Sequence, residues 1–195
     1  KGLSVWDTFS HQEGKIKNNE NGDVTCDHYH LWKNDIEILN NLGVQAYRFS
    51  ISWPRINPSG FDKTPNKKGL DFYDRLVDNL LEKEIIPFIT LFHWDLPQKL
   101  EECGGWTVRD VTDAFVQYVD MVTRHLGDRV KHWITHNEPW CVSYLGYING
   151  QFPPGLKDSW SRSFATVHHL LLSHGMAIPV IRSNSKDSHT GITLN

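Results

Sequence analysis

The sequence is most informative first for what it does not contain. Three cysteines stand among 195 residues, and Cys26, Cys103 and Cys141 lie far apart with no CxxC pair. Neither a disulfide framework nor a zinc cluster is suggested. Free thiols and a reducing compartment are the expectation, which favours a cytoplasmic location. No Asn-x-Ser/Thr acceptor occurs, since the Asn57-Pro58-Ser59 triplet is blocked by its proline. No stretch approaches the ~20 consecutive apolar residues of a membrane span. The opening Lys1-Gly2-Leu3-Ser4 is not a signal peptide, and any targeting peptide would lie outside these residues. No run of Lys or Arg exceeds two, and 20 basic against 23 acidic residues give a net charge of -3. An electrostatic nucleic-acid surface has no support, and a polyanionic substrate is not expected. Neither a membrane nor a nucleic acid is therefore expected as a partner.

What is present is an ordinary globular composition, 39% hydrophobic and 22% charged. The length suits a sizeable core but falls short of the ~250 residues of a typical (β/α)8 barrel. Short runs rich in β-branched and aromatic residues predict strands over Val44 to Trp53, Ile85 to Phe92, Val130 to Thr135 and Thr190 to Leu194. Helical patterns alternate with them. A helix over Tyr29 to Leu42 would turn Ile36, Leu39 and Leu42 inward, with Gly43 as its cap. Leu70, Tyr73, Leu76, Val77, Leu80 and Leu81 draw a second apolar stripe. Val111, Ala114, Phe115, Tyr118, Val119, Val122 and Leu126 draw a third, stopped by Gly127. Phe164, Val167, Leu171 and Leu172 predict a fourth, which Pro179 should kink or end. Alternation of this kind means parallel strands joined by right-handed crossovers in one domain of the α/β class. No interdomain linker or internal repeat is visible beyond the βα period.

In a barrel the carboxyl ends of all strands meet on one face, where the chemistry is kept. The first strand carries Arg48 and ends in Ser52-Trp53, and the second ends in His93-Trp94-Asp95. The third runs into Asn137-Glu138-Pro139-Trp140. An acid, an amide, an imidazole, a guanidinium and indoles would thus converge, which is a carbohydrate-binding set. Sugars present flat C–H faces that stack on indole and hydroxyls that need paired donors and acceptors. Glu138 reads as a general acid and His93 as a ligand contact. Arg48, within Ala46-Tyr47-Arg48-Phe49-Ser50, reads as a buried cation that must pair with a carboxylate absent from its sequence neighbourhood. Trp53 and Trp106 fit the core or the site equally well. His28 and His30, beside Asp27, have no third ligand in a matching setting and read as structural. Asp95 reads as a helix or turn cap, and His168 and His169 as packing or helix-surface groups.

These residues resemble glycoside hydrolase family 1, the β-glucosidase and β-galactosidase family of retaining (β/α)8 enzymes. The likeness rests on Ser4-Val5-Trp6-Asp7-Thr8-Phe9, Asp27-His28-Tyr29-His30 and Tyr47-Arg48-Phe49-Ser50-Ile51-Ser52-Trp53-Pro54-Arg55. It continues through Leu91-Phe92-His93-Trp94-Asp95-Leu96-Pro97, Gly104-Gly105-Trp106 and Asn137-Glu138-Pro139. The resemblance implies a (β/α)8 TIM barrel, with residues 1–195 a single partial barrel domain holding about strands two to five. The first strand and strands six to eight would lie outside these residues.

The resemblance also implies roles. Glu138 matches the family acid/base, Asn137 the residue that binds the glycone 2-hydroxyl, and His93 a ligand of the 3-hydroxyl region. Trp94 matches a wall of the sugar pocket, Trp140 an aglycone-side stacking residue, and Arg48 the arginine that orients the nucleophile. His136 departs from the apolar residue commonly found there. The nucleophilic glutamate, in a Glu-Asn-Gly motif after the seventh strand, is expected beyond Asn195. Glu20-Asn21-Gly22 carries the same letters but follows no strand, so it reads as a decoy.

The expected activity of the complete protein is retaining hydrolysis of terminal β-D-glycosides, on small β-glycosides or oligosaccharides, with no cofactor and no metal. The 195-residue chain alone is expected to be inactive. Its rivals are a non-catalytic carbohydrate-binding or receptor-type relative, and one half of a split barrel completed by a complementary chain.

Overall fold

The computed structural model describes residues 1–195. Four parallel strands form one sheet in the order β1 (Ala46–Ser50), β2 (Ile86–Phe92), β3 (His132–Asn137) and β4 (His189–Thr193). Each is preceded by a long helix: α2 (His28–Asn41), α4 (Lys67–Glu82), α6 (Asp110–Leu126) and α7 (Trp160–Asn184). Short helices α1 (Val5–Ser10), α3 (Trp53–Ile56) and α5 (Gln98–Glu102) and a π-helical segment, Cys141–Asn149, occupy loops. Strand order equal to chain order, with a helix in every crossover, is an arc of a (β/α) barrel.

The predicted periods locate the elements, and the ends move. Sequence reading runs the first strand through Trp53, but pairing stops at Ser50 and Trp53-Pro54 begins α3 instead. Proline suits a first helical turn, where its missing N–H has no partner to lose. The third strand runs two residues further than expected, to Asn137, so Glu138 is the first residue beyond it. Gly43, at φ +68°, ends α2 in the left-handed conformation that glycine adopts without steric cost. Leu42 and Leu81, expected inward, are exposed.

The α6 stripe is buried along its whole length. The α7 stripe is shifted in phase: Ser163, Thr166, Leu170, Ser173, Ala177 and Ile181 face inward, while Phe164 and Leu171 are exposed. Small residues line the packed face because α7 lies close against α6 and the sheet, whereas the periodicity argument weighed only large apolar side chains. Pro179 does not end α7; it sits exposed, five residues before the helix stops. By length and composition α7 is also apolar enough to cross a membrane, which the run-by-run reading missed. In this fold it is a layer helix, with His169 Nδ1 bonded to the Trp106 carbonyl and Asn184 donating to Asp120 and Thr123 on α6.

The core lies between the sheet and the helices, around Ile51, Trp53, Ile89, Leu91, Phe92, Trp106, Phe115, Tyr118 and Trp133. Trp53 and Trp106 are fully buried there, which decides between their two readings. Tyr118 stacks on Trp53 with ring centroids 5.0 Å apart. Its hydroxyl lies 2.8 Å from the Leu91 carbonyl and 3.2 Å from that of Ile51, just past β1. It therefore fastens the carboxyl ends of two strands from the helix side. The opposite sheet face is open. Arg48, Phe88, His132 and His189 form one row across it, with Phe88 stacked on His132 at 4.1 Å and His132 on His189 at 5.3 Å.

Replacing Tyr118 by Phe strands two buried carbonyls while conserving shape. The expected loss of stability is ~1 to 3 kcal/mol, read as a lower midpoint in urea unfolding; an unchanged midpoint would show that the hydroxyl does not fasten the strands.

Candidate active site

Parallel register sets β1, β2 and β3 side by side, and side chains two apart on a regular strand share a face. A register irregularity between Ile134 and Asn137 breaks that alternation in β3, so Asn137 joins the Arg48 face although Trp133, four residues earlier, faces the helices. Arg48 on β1 donates from Nε to Thr90 Oγ1 on β2 at 2.9 Å and from Nη2 to Asn137 Oδ1 on β3 at 2.6 Å. Oδ1 is thereby occupied, and the Asn137 amide nitrogen makes no hydrogen bond within the protein. Trp94 Nε1 donates to the Asn137 carbonyl at 2.8 Å, drawing the loop after β2 against the end of β3.

His93 packs edge-on against Trp94 and lies 2.8 Å from Ser50 Oγ through Nδ1. Its outer edge is exposed. Desolvation of the inner part, followed by the nearby Arg48 charge, lowers its pKa below the ordinary imidazole value, with Glu138 opposing.

Glu138 leaves β3 with φ +47°, a conformation that costs a non-glycine residue. Its N–H donates to the Thr193 carbonyl of β4 at 2.9 Å, and its own carbonyl accepts from Cys141 N at 2.9 Å. The carboxyl oxygen Oε2 is 3.4 Å from Cys141 Sγ. Burial, then Glu138, pushes the Cys141 thiol up to about 11, so it stays an S–H donor. Trp140 is half exposed and stacks on Tyr144 with centroids 5.0 Å apart.

Arg48, His93, Trp94, Asn137 and Glu138 are thus brought to the carboxyl ends of adjacent strands, and Trp140 follows on the wide π-helical turn. One expectation fails. Arg48 is exposed on the open sheet face rather than buried, and its side-chain partners are neutral oxygens rather than a carboxylate. A guanidinium on an open face keeps water as a partner, so it has no buried charge to compensate. Ser50, Thr90 and Cys141 were not picked out from the sequence. Alternation would have found the first two, since 48 and 50 share a face on β1 and 88 and 90 on β2.

Several polar groups outside the site have local partners. Asp95 Oδ2 accepts from the Trp53 N–H at 3.1 Å and caps α3 across the chain, as a cap should; burial raises its pKa to about 7. His28 bonds Asp35 and His30 bonds Asp27. Glu20-Asn21-Gly22 is exposed in a loop ahead of α2, with no strand leading into it. His136 faces the helix layer, stacked on Phe115 at 4.5 Å and bonded through Nε2 to Ser173 Oγ at 2.9 Å. Burial, reinforced by His174, lowers its pKa to about 3.

With this arrangement in view, the sequence pattern of Glycosyl hydrolase family 1 matches residues 1–195. The chain belongs to glycosyl hydrolase family 1. It is 54% identical to 1,4-beta-D-glucan glucohydrolase of Thermotoga neapolitana over 194 residues, all of this chain and 45% of that protein. The family 1 β-glucosidase from Thermotoga maritima superimposes with a TM-score of 0.96 at 52% identity, covering all of this chain and 43% of that one. The same enzyme in complex with deoxynojirimycin gives a TM-score of 0.96, with 44% of it covered. The chain therefore spans under half the length of the relatives it matches, and its four β/α units are part of the (β/α)8 barrel of this family-1 fold.

His136 and Asp95 give this family-1 chain two opposed pH dependences. His136 titrates near 6.5 when unfolded and about 3 when folded, so between those values the unfolded chain holds the extra proton. Stability therefore rises with pH across that window and is lost on acidification, at up to ~1.4 kcal/mol per pH unit. Asp95 titrates at 3.8 when unfolded and about 7 when folded, so the folded chain holds the extra proton and stability falls as pH rises. The slopes oppose one another where the windows overlap. Urea midpoints measured from about pH 4 to 6.5 should fall with pH in His136→Leu relative to the parent and rise in Asp95→Asn. Parallel profiles for all three proteins would contradict both assignments.

Proposed function

We propose that these residues form the acid/base half of a retaining β-glycosidase of β-glucosidase type, a single partial barrel domain over 1–195. The observation that carries this reading is Glu138 at the end of β3, beside Asn137 and within one strand's reach of Arg48, His93 and Trp94. The solved relative bound to deoxynojirimycin supports a small β-glycoside as substrate.

In this reading Glu138 protonates the leaving oxygen and then activates water. Asn137 and His93 hold glycone hydroxyls, Trp94 walls the sugar pocket, and Trp140 stacks on the aglycone. Arg48 orients a nucleophilic carboxylate supplied from outside residues 1–195, about 5 to 5.5 Å from Glu138 as retention demands. No cofactor or metal is needed for this chemistry. The open inner face and the β1 and β4 edges favour completion by further barrel strands, from the same polypeptide or a complementary one.

The test is Glu138→Gln in a complete barrel containing this sequence. Turnover of alkyl β-glucosides, whose leaving groups need a proton, should fall by ~10²- to 10⁴-fold. The first step on dinitrophenyl β-glucosides should survive. Equal loss on both substrate types overturns the acid/base role, and full activity of both on the variant overturns the glycosidase reading of Glu138 altogether.

A further inference from the structure

We propose that Ser50 is a positioning residue: its hydroxyl donates to His93 Nδ1, which holds the ring as the Nε2–H tautomer and turns a donor toward the open sheet face. The consequence for sugar recognition rests on the function proposed above; the tautomer itself does not.

A neutral imidazole carries one N–H, and the partner of one nitrogen decides the chemistry of the other. Ser50 Oγ lies 2.8 Å from Nδ1, and this is the only side-chain hydrogen bond that Ser50 makes. Two arrangements satisfy that distance. If Nδ1–H donates to the serine oxygen, the hydroxyl proton has no protein acceptor, and Nε2 faces outward as a lone pair. If the hydroxyl donates to Nδ1, the serine proton and the ring lone pair satisfy each other, and Nε2–H faces outward. The second arrangement pairs the hydroxyl proton and the ring lone pair within the protein, whereas the first leaves the proton to solvent.

The charged groups near the ring are Arg48 and Glu138. Burial and the Arg48 charge both favour the neutral ring, which is the condition for a tautomer to matter. The neighbouring amide is polarised the same way, because Arg48 occupies Asn137 Oδ1 and its nitrogen makes no hydrogen bond within the protein. Two donors, His93 Nε2–H and Asn137 Nδ2–H, are therefore left without a protein partner at adjacent strand ends. A ligand there must offer oxygen lone pairs to both, which a row of ring hydroxyls does. The hydroxyl protons of such a ligand must then find acceptors elsewhere.

The direct measurement is ¹⁵N NMR of the imidazole nitrogens in the 195-residue chain. His93 in the parent should give the shift pattern of a single Nε2–H tautomer. Ser50→Ala should move both shifts toward the averaged values of a mixed population, and Ser50→Thr, which keeps the hydroxyl on a β-branched residue suited to a strand, should restore the parent pattern. A parent spectrum of the Nδ1–H form, or a Ser50→Ala spectrum identical to the parent, overturns the proposal; the parent spectrum decides the tautomer even if the alanine variant does not fold. In a complete barrel, Ser50→Ala should lower kcat/KM on aryl β-glucosides about fivefold, the equivalent of ~1 kcal/mol for one hydrogen bond, with Ser50→Thr recovering it. A 3-deoxy-3-fluoro inhibitor, which can accept but not donate, should bind the parent more tightly than its 3-deoxy counterpart, and that preference should vanish in Ser50→Ala. Equal binding of the two inhibitors by a parent that shows the stated tautomer overturns the sugar-recognition consequence, while the ¹⁵N spectrum alone decides the tautomer. A parent that shows the stated tautomer but hydrolyses no β-glucoside contradicts the proposed function and leaves the Ser50 assignment standing.

Discussion

The hydrogen bond from Arg48 to Asn137 Oδ1 joins β1 to β3 across the whole width of β2. It requires parallel strands in register, with Arg48 beside Phe88 and Thr90 one same-face step further along, and the register irregularity between Ile134 and Asn137 that brings Asn137 onto their face. A slip of one residue in β1 would turn Arg48 into the helix layer and Phe49 onto the open face. The guanidinium, the amide and the carboxyl that follows the amide would then no longer share a surface. Register is specified by burial: Phe49, Ile89 and Trp133 all sit against the helices, and none could be exchanged for its polar neighbour without burying a charge, a hydroxyl or an imidazole.

Several polar groups in the layer behind the site meet the backbone at strand ends. Tyr118 bonds the carbonyls of Ile51 and Leu91, Tyr73 accepts from the Ser52 N–H, and Asp95 accepts from the Trp53 N–H. Where strands stop pairing, their backbone groups still need partners, and water cannot reach them beneath α3 and α6. Side chains from the helices and from the next loop therefore complete the ladder. The same bonds locate the loops after β1 and β2, and with them His93 and Trp94. Glu101, whose carboxylate oxygen accepts from Tyr147 at 2.7 Å, ties α5 to the π-helical segment that follows Trp140.

The α6 stripe, the four strands and the motifs at their ends were legible because each depends on a periodicity or on local chain chemistry that every copy of the pattern shares. The α7 face was not. Its packed side is built from serine, threonine and alanine, whose value comes from letting backbones approach closely, and no hydrophobicity pattern records that. Arg48 was recognised as a residue in need of partners, but its exposure was misjudged, since a strand interior in an arc of four strands is open on one face. Asp95 was read correctly as a cap, although Trp53, the first residue of the helix it caps, was itself read as the end of a strand. Thr90 and Ser50 passed unnoticed because short hydroxyl residues in a strand carry no signal until a neighbouring strand supplies something to bond.

What the sequence determined by itself is the alternation of strands and helices, the acid placed where a strand ends, and the family to which these motifs belong. Those properties are local: they depend on which residues follow one another along the chain. Only the tertiary structure decided that Arg48 orients Asn137, that Ser50 meets His93, that Cys141 touches Glu138, and that His136 turns away from the site into the helix layer. Each of those pairings, apart from the short turn from Glu138 to Cys141, joins residues on different elements. Their distances are set by register and helix packing, which no single stretch of sequence contains.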